Sequence, residues 1–277
     1  MIATAPAFPS APGLIGQQVR YQLRTFSRTP IAVFFTLMLP VTMLVLFNAL
    51  FSGEEVNVGA GRLPLRHFYT GGLAAFTAVS ATFTNLANIV PIRRDEGVLK
   101  RWRSTPLSPW IYIAGTIGSA VVVAVVGVVI VLTLGVVAYD LQVEAAKVPA
   151  AIVTFLVGVA AFAALGVAVA SIIPSAQAAP AVANAIILPL GFVSDVFVAI
   201  SDPPAWLDTV GDIFPLKPFV QSFQAAFTPA VEAPAFQWGP LARVALWGVV
   251  GLLVARRWFR WEPTRSTGRR RRRPREV

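Results

Sequence analysis

Six long apolar runs, at 31–51, 68–91, 110–138, 150–173, 180–200 and 240–259, alternate along the chain with short segments that hold most of its charge. A helix needs about 20 apolar residues to cross a hydrocarbon core about 30 Å thick. The pattern therefore predicts an all-α membrane protein with six transmembrane helices, both termini on one side. The third run is long enough to tilt or to include a surface turn, and the fifth carries Pro189. Ahead of the first run, residues 13–28 repeat Ile15, Val19, Leu23 and Phe26 at helical spacing. Gln17, Arg20, Arg24 and Arg28 fall on the other face. Arg20, Arg24 and Arg28 outward and apolar residues inward suit a helix lying on a membrane surface. Pro30 then offers a break. Three regions follow: an N-terminal segment 1–29 with the surface helix, a membrane domain 30–260, and a basic tail 261–277.

The island Ile92–Trp110 stands between runs 68–91 and 110–138, which contain no Asp, Glu, Lys or Arg. It carries Arg93, Arg94, Lys100, Arg101 and Arg103. Residues Asp95 to Arg103 are expected to form two to three helical turns, with Val98, Leu99 and Trp102 on one side and Glu96, Lys100 and Arg103 on another. The helix should stop at Thr105-Pro106, because proline restricts the residue before it and cannot continue a helix. A short amphipathic helix fixed between two spans is placed to transmit a push. The plainer reading is a positive loop that only sets topology.

Composition agrees with lipid as the main solvent. Only 13% of residues are charged and mean hydropathy is +0.69, against about 25% charged in soluble domains. With no cysteine, disulfides and thiolate metal sites are impossible, and the one histidine, His67, argues against histidine-based metal or acid–base chemistry. The Ala/Pro-rich residues 1–12 lack the basic and apolar regions of a cleaved signal peptide. Arg20, Arg24, Arg28, the five island cations and ten arginines from Arg256 to Arg275 fall on one side. Only Arg62, Arg66, Lys147, Lys217 and Arg243 fall on the other. The positive-inside rule then places both termini in the cytoplasm. The net charge of +10 owes much to the tail, whose run Arg269–Arg273 lies directly behind a span. Such a run suits anionic lipid headgroups rather than nucleic acid.

The segment 201–239 is long and proline-rich but not simply polar. Trp206, Leu207, Val210, Ile213 and Phe214 have helical spacing, as do Phe219, Val220, Phe223 and Phe227. Two short helices dipping toward the outer interface would fit, and so would an outer cap outside the lipid. Within the spans, Thr77, Ser80, Thr84 and Asn88 recur at intervals of three and four, as either packing contacts or a cavity lining. Asn184, Gly191 and Asp195 should share a face of the fifth span. Asp195 is either a solvated helix end or a lining residue of an exit path. No phosphate-binding GxxxxGK[ST] string exists, and Gly-Lys occurs nowhere. Metalloprotease and nucleophile-elbow strings are absent too, so nothing here marks an enzyme.

The string Glu96-Gly97-Val98-Leu99-Lys100-Arg101-Trp102-Arg103-Ser104-Thr105-Pro106-Leu107-Ser108-Pro109-Trp110 closely resembles the inner loop of ATP-binding-cassette (ABC) transporter permeases of the type-two exporter class. Leu188-Pro189, Ser194, Pro204-Ala205-Trp206-Leu207 and Phe214-Pro215-Leu216 resemble the outer segment of the same class. The likeness covers nearly the whole chain, with one departure: Asp195 stands where a small residue is common. The resemblance implies a permease subunit, not itself an enzyme, that binds no cofactor. ATP and Mg would be bound by a separate cytoplasmic ABC ATPase, and the permease would form a homodimer or heterodimer in the plasma membrane. It further implies that Glu96, Gly97, Leu99, Lys100, Arg101, Trp102, Arg103, Thr105 and Pro106 dock the ATPase. The cargo path would pass Thr77, Thr84, Asn88, Asn184 and Asp195, and its apolar walls suit a lipid or drug-like cargo. The alternative is a self-contained secondary transporter or channel.

Overall fold

Small residues decide which helix sits at the centre. The segment Leu65–Asp95 carries Gly71, Gly72, Ala74, Ala75, Ala78, Ala81 and Ala87, and all are buried. Without bulky side chains there, neighbours approach from every side. The computed structural model describes residues 10–51, 53–58, 61–104, 108–198 and 204–261. In chain order the described helices are α1 (Ala11–Ser27), α2 (Pro30–Leu50), α3 (Leu65–Asp95), α4 (Val98–Arg103), α5 (Pro109–Tyr139), α6 (Val148–Ile172), α7 (Ala179–Val193), α8 (Ala205–Ile213), α9 (Leu216–Ala225) and α10 (Trp238–Trp258). Single π-helical turns interrupt α2 at Phe34–Met38 and α3 at Ser80–Thr84. A hairpin of β1 (Glu55–Val58) and β2 (Gly61–Pro64) precedes α3. Glu55 faces Pro64 across it and Val58 faces Gly61.

Among the described residues, five helices are long and apolar enough to cross a membrane: α2, α3, α5, α6 with the turn before it, and α10. The fifth apolar run differs from expectation. Its helix, α7, ends at Val193 rather than near 200 and has 15 residues. At 1.5 Å per residue that is roughly 22 Å, short of a hydrocarbon core about 30 Å thick. Pro189 inside the helix removes one backbone hydrogen bond, and Asp195 takes a left-handed φ of 57° that turns the chain. Val196 and Phe197 then fold back onto the bundle, with the Phe197 ring 4.9 Å from that of Phe76 in α3.

The two short helices expected in 201–239 are present as α8 and α9. α9 is driven into the bundle. Phe219 is fully buried and stands 5.6 Å from Phe162 of α6. Its ring lies over Gly158, ten residues into α6 and so about 15 Å along that helix. Gln224 Nε2 donates to the Phe68 carbonyl of α3 at 3.0 Å. This backbone is enclosed by protein, as any non-helical connection at membrane depth must be.

α6 and α10 make the closest pairing. A Cβ on Gly248 would lie 2.9 Å from Ala161 Cα, and one on Gly251 would lie 2.9 Å from the Leu165 nitrogen. Glycine lets the two backbones touch, the usual device where lipid offers no hydrophobic drive between helices. α1, α4 and the turn 173–178 share one end of the bundle. The hairpin, α8 and α9 occupy the other.

Candidate functional site

The corner between α3, α4 and α5 is built by one glycine. α3 runs through Asp95 without a break, so the expected helix from Asp95 to Arg103 begins only at Val98. Gly97 has φ 72°, a left-handed backbone that suits glycine because it lacks a Cβ. It ends one helix and caps the next: its N–H reaches the Arg94 carbonyl at 3.0 Å, and its carbonyl accepts from Arg101 at 3.1 Å. α4 then doubles back as a short separate lever.

The two sides of that lever differ in kind. Leu99 is fully buried. The Trp102 ring stands 5.6 Å from that of Tyr112, in the first turn of α5. Apolar packing thus fastens α4 to a span. Glu96, Lys100 and Arg101 are exposed. Glu96 accepts from Arg93 at 3.1 Å, and Arg101 Nη2 donates to the Glu96 carbonyl at 3.3 Å. Exposed pairs of this kind contribute about 0.2–1 kcal/mol each, so the charges are free to engage another surface at small cost. The Arg103 backbone closes α4, while its side chain, Thr105 and Pro106 lie outside the described residues, as do 262–277 of the basic tail.

α1 rests against the start of α5 by the expected apolar face together with two glutamines that the pattern did not foresee. Gln18 and Gln22 are its buried residues, while Ile15, Val19, Leu23 and Phe26 are half-buried. Gly115 and Gly118 explain this. A methyl on Gly115 would stand 2.5 Å from Gln18 Cβ, and one on Gly118 would stand 2.9 Å from Val19 Cγ2. The two glycines form a groove in α5 that takes Gln18 and Val19, and Gln22 Nε2 donates to Thr116 Oγ1 at 3.4 Å. Arg20, Arg24 and Arg28 are exposed, as the pattern required.

The polar residues expected along a cargo path do not converge. Thr77 is fully buried, donates to its own Leu73 carbonyl at 2.7 Å, and packs beside Gly127 of α5. The π-helical turn at Ser80–Thr84 then upsets the 3.6-residue register, so Ser80, Thr84 and Asn88 are half-buried where Thr77 is enclosed. Asn88 Nδ2 donates to the Thr84 carbonyl at 2.7 Å, while Asn88 Oδ1 and Thr84 Oγ1 are buried without a partner. The shared face of Asn184, Gly191 and Asp195 is also corrected. Gly191 lies beneath the Phe197 ring, Asn184 is exposed on α7, and Asp195 sits past the helix end with its carbonyl against Gly72. No periodicity count could have shown this, because the left-handed residue at Asp195 breaks the helix that the count assumes.

Lys217 and Lys147 are functional-looking charges that prove structural. Lys217 is 4% exposed and pairs with Asp208, with Asp212 at 3.9 Å. Lys147 bonds Glu144 at 2.7 Å and the Thr228 carbonyl at 3.0 Å. Lys147 pins the end of the α9 segment to the start of α6, and Lys217 holds α8 to α9.

A helical bundle with several apolar spans and a short charged helix between two of them defines a multi-pass membrane protein. The chain belongs to the ABC-2 type transporter family, whose family model matches residues 14–228. The match takes in α1 through α9 and every residue of the α3–α4–α5 corner, so the domain is an ABC permease domain. Among curated proteins, none matches this chain.

Proposed function

We propose that the chain is the membrane subunit of an ABC exporter, driven by a separate cytoplasmic ATPase that docks on α4 and α1. The observation that carries this reading is the two-sidedness of α4: Leu99 and Trp102 fasten it to α5, while Glu96, Lys100 and Arg101 face outward. A partner's closure can move the spans only through a contact that differs between its states, and a helix fixed on one side and charged on the other provides one. ATP and Mg belong to that ATPase, since this chain has no phosphate loop. The basic end then faces the cytoplasm, with both termini inside a plasma membrane and Arg20, Arg24, Arg28 and the arginine tail against anionic headgroups. The polar stripe Thr84–Asn88 and the exposed Asn184 support a path beside α3 and α7. An amide on an apolar helix face is costly in hydrocarbon, which favours a second permease copy or a cargo passage over Asn184. Walls this apolar suit a hydrophobic or amphipathic cargo, a lipid or a drug-like compound.

The test is to purify the chain with a soluble phosphate-loop ATPase from its gene neighbourhood and reconstitute both. Glu96→Ala and Arg101→Glu should each lower permease-stimulated ATP turnover at least about tenfold, a loss of about 1.4 kcal/mol of coupling. Thermal stability should stay unchanged, because the Arg93–Glu96 pair is exposed. Unaltered turnover in both variants, or gradient-driven flux by the chain alone, would overturn the proposal.

A further inference from the structure

The turn between α6 and α7 is gripped by two side chains of a third helix. Arg94, in the last turn of α3, is only 2% exposed. Its Nη2 donates to the carbonyl of Ile173, the first residue past α6, at 2.7 Å. Its Nε lies 3.5 Å from Asp95 Oδ1. Asp95 Oδ2 in turn accepts the N–H of Ala176 at 2.7 Å. Ser175 Oγ accepts from the Ala178 N–H at 3.3 Å, just before α7 begins. One backbone acceptor and one backbone donor of a short turn are thus satisfied by adjacent residues of α3.

A buried guanidinium is expensive unless paired, and this one spends its pairing on a distant carbonyl. Charge-assisted hydrogen bonds are short and directional, unlike apolar contacts, which let helices slide past one another. The same two residues adjoin the lever. The Arg94 carbonyl accepts the Gly97 N–H, and Arg101 of α4 donates to the Glu96 carbonyl. By chain connection α4 directly joins only α3 and α5, so a push on it reaches α6 and α7 along the backbone only through the full length of α5.

We infer that Arg94 and Asp95 are positioning residues that tie the 173–178 turn to the α3–α4 corner, so that α6 and α7 move with α4 as one body. Asp95 carries the tie to Ala176, and Arg94 carries the tie to Ile173 and orients Asp95. The force on α4 rests on the function proposed above; the tie itself does not.

The chain has no cysteine, so paired labels can be placed without background. Lys100 of α4 and Gln177 of the turn are both exposed. The full chain carrying Lys100→Cys and Gln177→Cys, spin-labelled in phospholipid nanodiscs, should give one narrow distance distribution by pulsed electron resonance. Asp95→Ala should widen it about twofold, as local release of a turn predicts. Asp95→Asn keeps an acceptor oxygen for Ala176 and should restore a near-native width, whereas Asp95→Leu, of similar size without an acceptor, should not. Arg94→Met should also widen it; if that variant fails to fold, the Asp95 variants decide the matter. Equal widths in the parent and Asp95→Ala overturn the tie. Adding the ATPase with ATP and Mg separates this inference from the function it uses. A narrow distribution, together with a Lys100 label whose own spectral mobility does not change with nucleotide, would overturn the drive on α4 while leaving the tie in place.

Discussion

Gly158→Ala is expected to unseat α9, and the structure gives the size of the effect. A methyl at Gly158 would stand 2.5 Å from Phe219 Cδ2 and 2.6 Å from Cζ, and nearer still to Cε2. Ordinary contact begins near 3.4 Å, so the ring must retreat by about 1 Å in a close-packed interior. It has nowhere to go. Phe219 is fully buried, with Phe162 on one side at 5.6 Å and Phe223 on another at 6.2 Å. Overpacking of this kind costs about 3 kcal/mol, at the upper end of its range. The gain in helix propensity over glycine offsets about 1 kcal/mol, leaving a net loss of about 2 kcal/mol. Phe219→Ala should cost about 4 kcal/mol through lost contacts and a cavity.

The two substitutions should not add. Together they put a methyl where the ring was, relieving the clash and filling part of the void. The double variant should lose about 3 kcal/mol where independent sites would lose about 6, a coupling of about 3 kcal/mol. Unfolding in mixed micelles, titrated with dodecyl sulfate, would measure all four corners of the cycle. Trp247 is a natural reporter, since its Nε1 donates to the Ile213 carbonyl of α8 at 2.8 Å and its ring stacks on Phe214. Additivity within about 0.5 kcal/mol would refute the placement of α9 inside the bundle.

The buried Lys217 should reveal itself by asymmetry. Asp208→Asn with Asp212→Asn strips a 4%-exposed ammonium of its partners and should cost about 3 kcal/mol or more in the same micelle titration. Lys217→Met removes the buried charge, leaves Asp208 to solvent and Asp212 to Arg243, 3.6 Å away, and should cost less than half of that; the reverse order would mean the cation is solvated. For α1, Gly16 has open space around it while Gly115 meets Gln18. Gly16→Ala should therefore stabilise by up to about 1 kcal/mol, and Gly115→Val should undock α1 and raise its rate of proteolysis; equal effects of the two would contradict the groove in α5.

The features legible in the sequence are those set by local chemistry. Long uncharged runs give spans because lipid forces backbone groups to pair within the helix. The spacing of Trp206, Leu207, Val210 and Ile213, and of Phe219, Phe223 and Phe227, gave α8 and α9. The exposure of Arg20, Arg24 and Arg28 followed from a charge pattern. What escaped was set by residues that act only through a neighbour. Gly115 and Gly118 admit Gln18 and Val19 of α1 to α5, yet they lie far away in the chain. The left-handed turn at Asp195 ends the excursion of α7, and an aspartate there carries none of the warning that a glycine gives. Nor does any pattern of apolar residues announce a π-helical turn, so Thr77 and Thr84 looked equivalent while their surroundings differ.

That contrast bears on how such a permease can be both tight and movable. The α6–α10 pair is locked by glycines against backbone, and α9 is wedged by aromatic rings into α6. Neither contact has a second arrangement of similar energy, because a close-packed interface offers no half-step. The corner around Gly97 is different: one left-handed glycine, a six-residue helix, and hydrogen bonds between exposed groups. Displacement should therefore enter at the corner and carry with it the 173–178 turn that Arg94 and Asp95 hold there, as one rigid body. Gly97 has open space on every side, so an added Cβ there clashes with nothing. What glycine contributes at that position is the left-handed backbone, φ 72°, that sets the angle between α3 and α4.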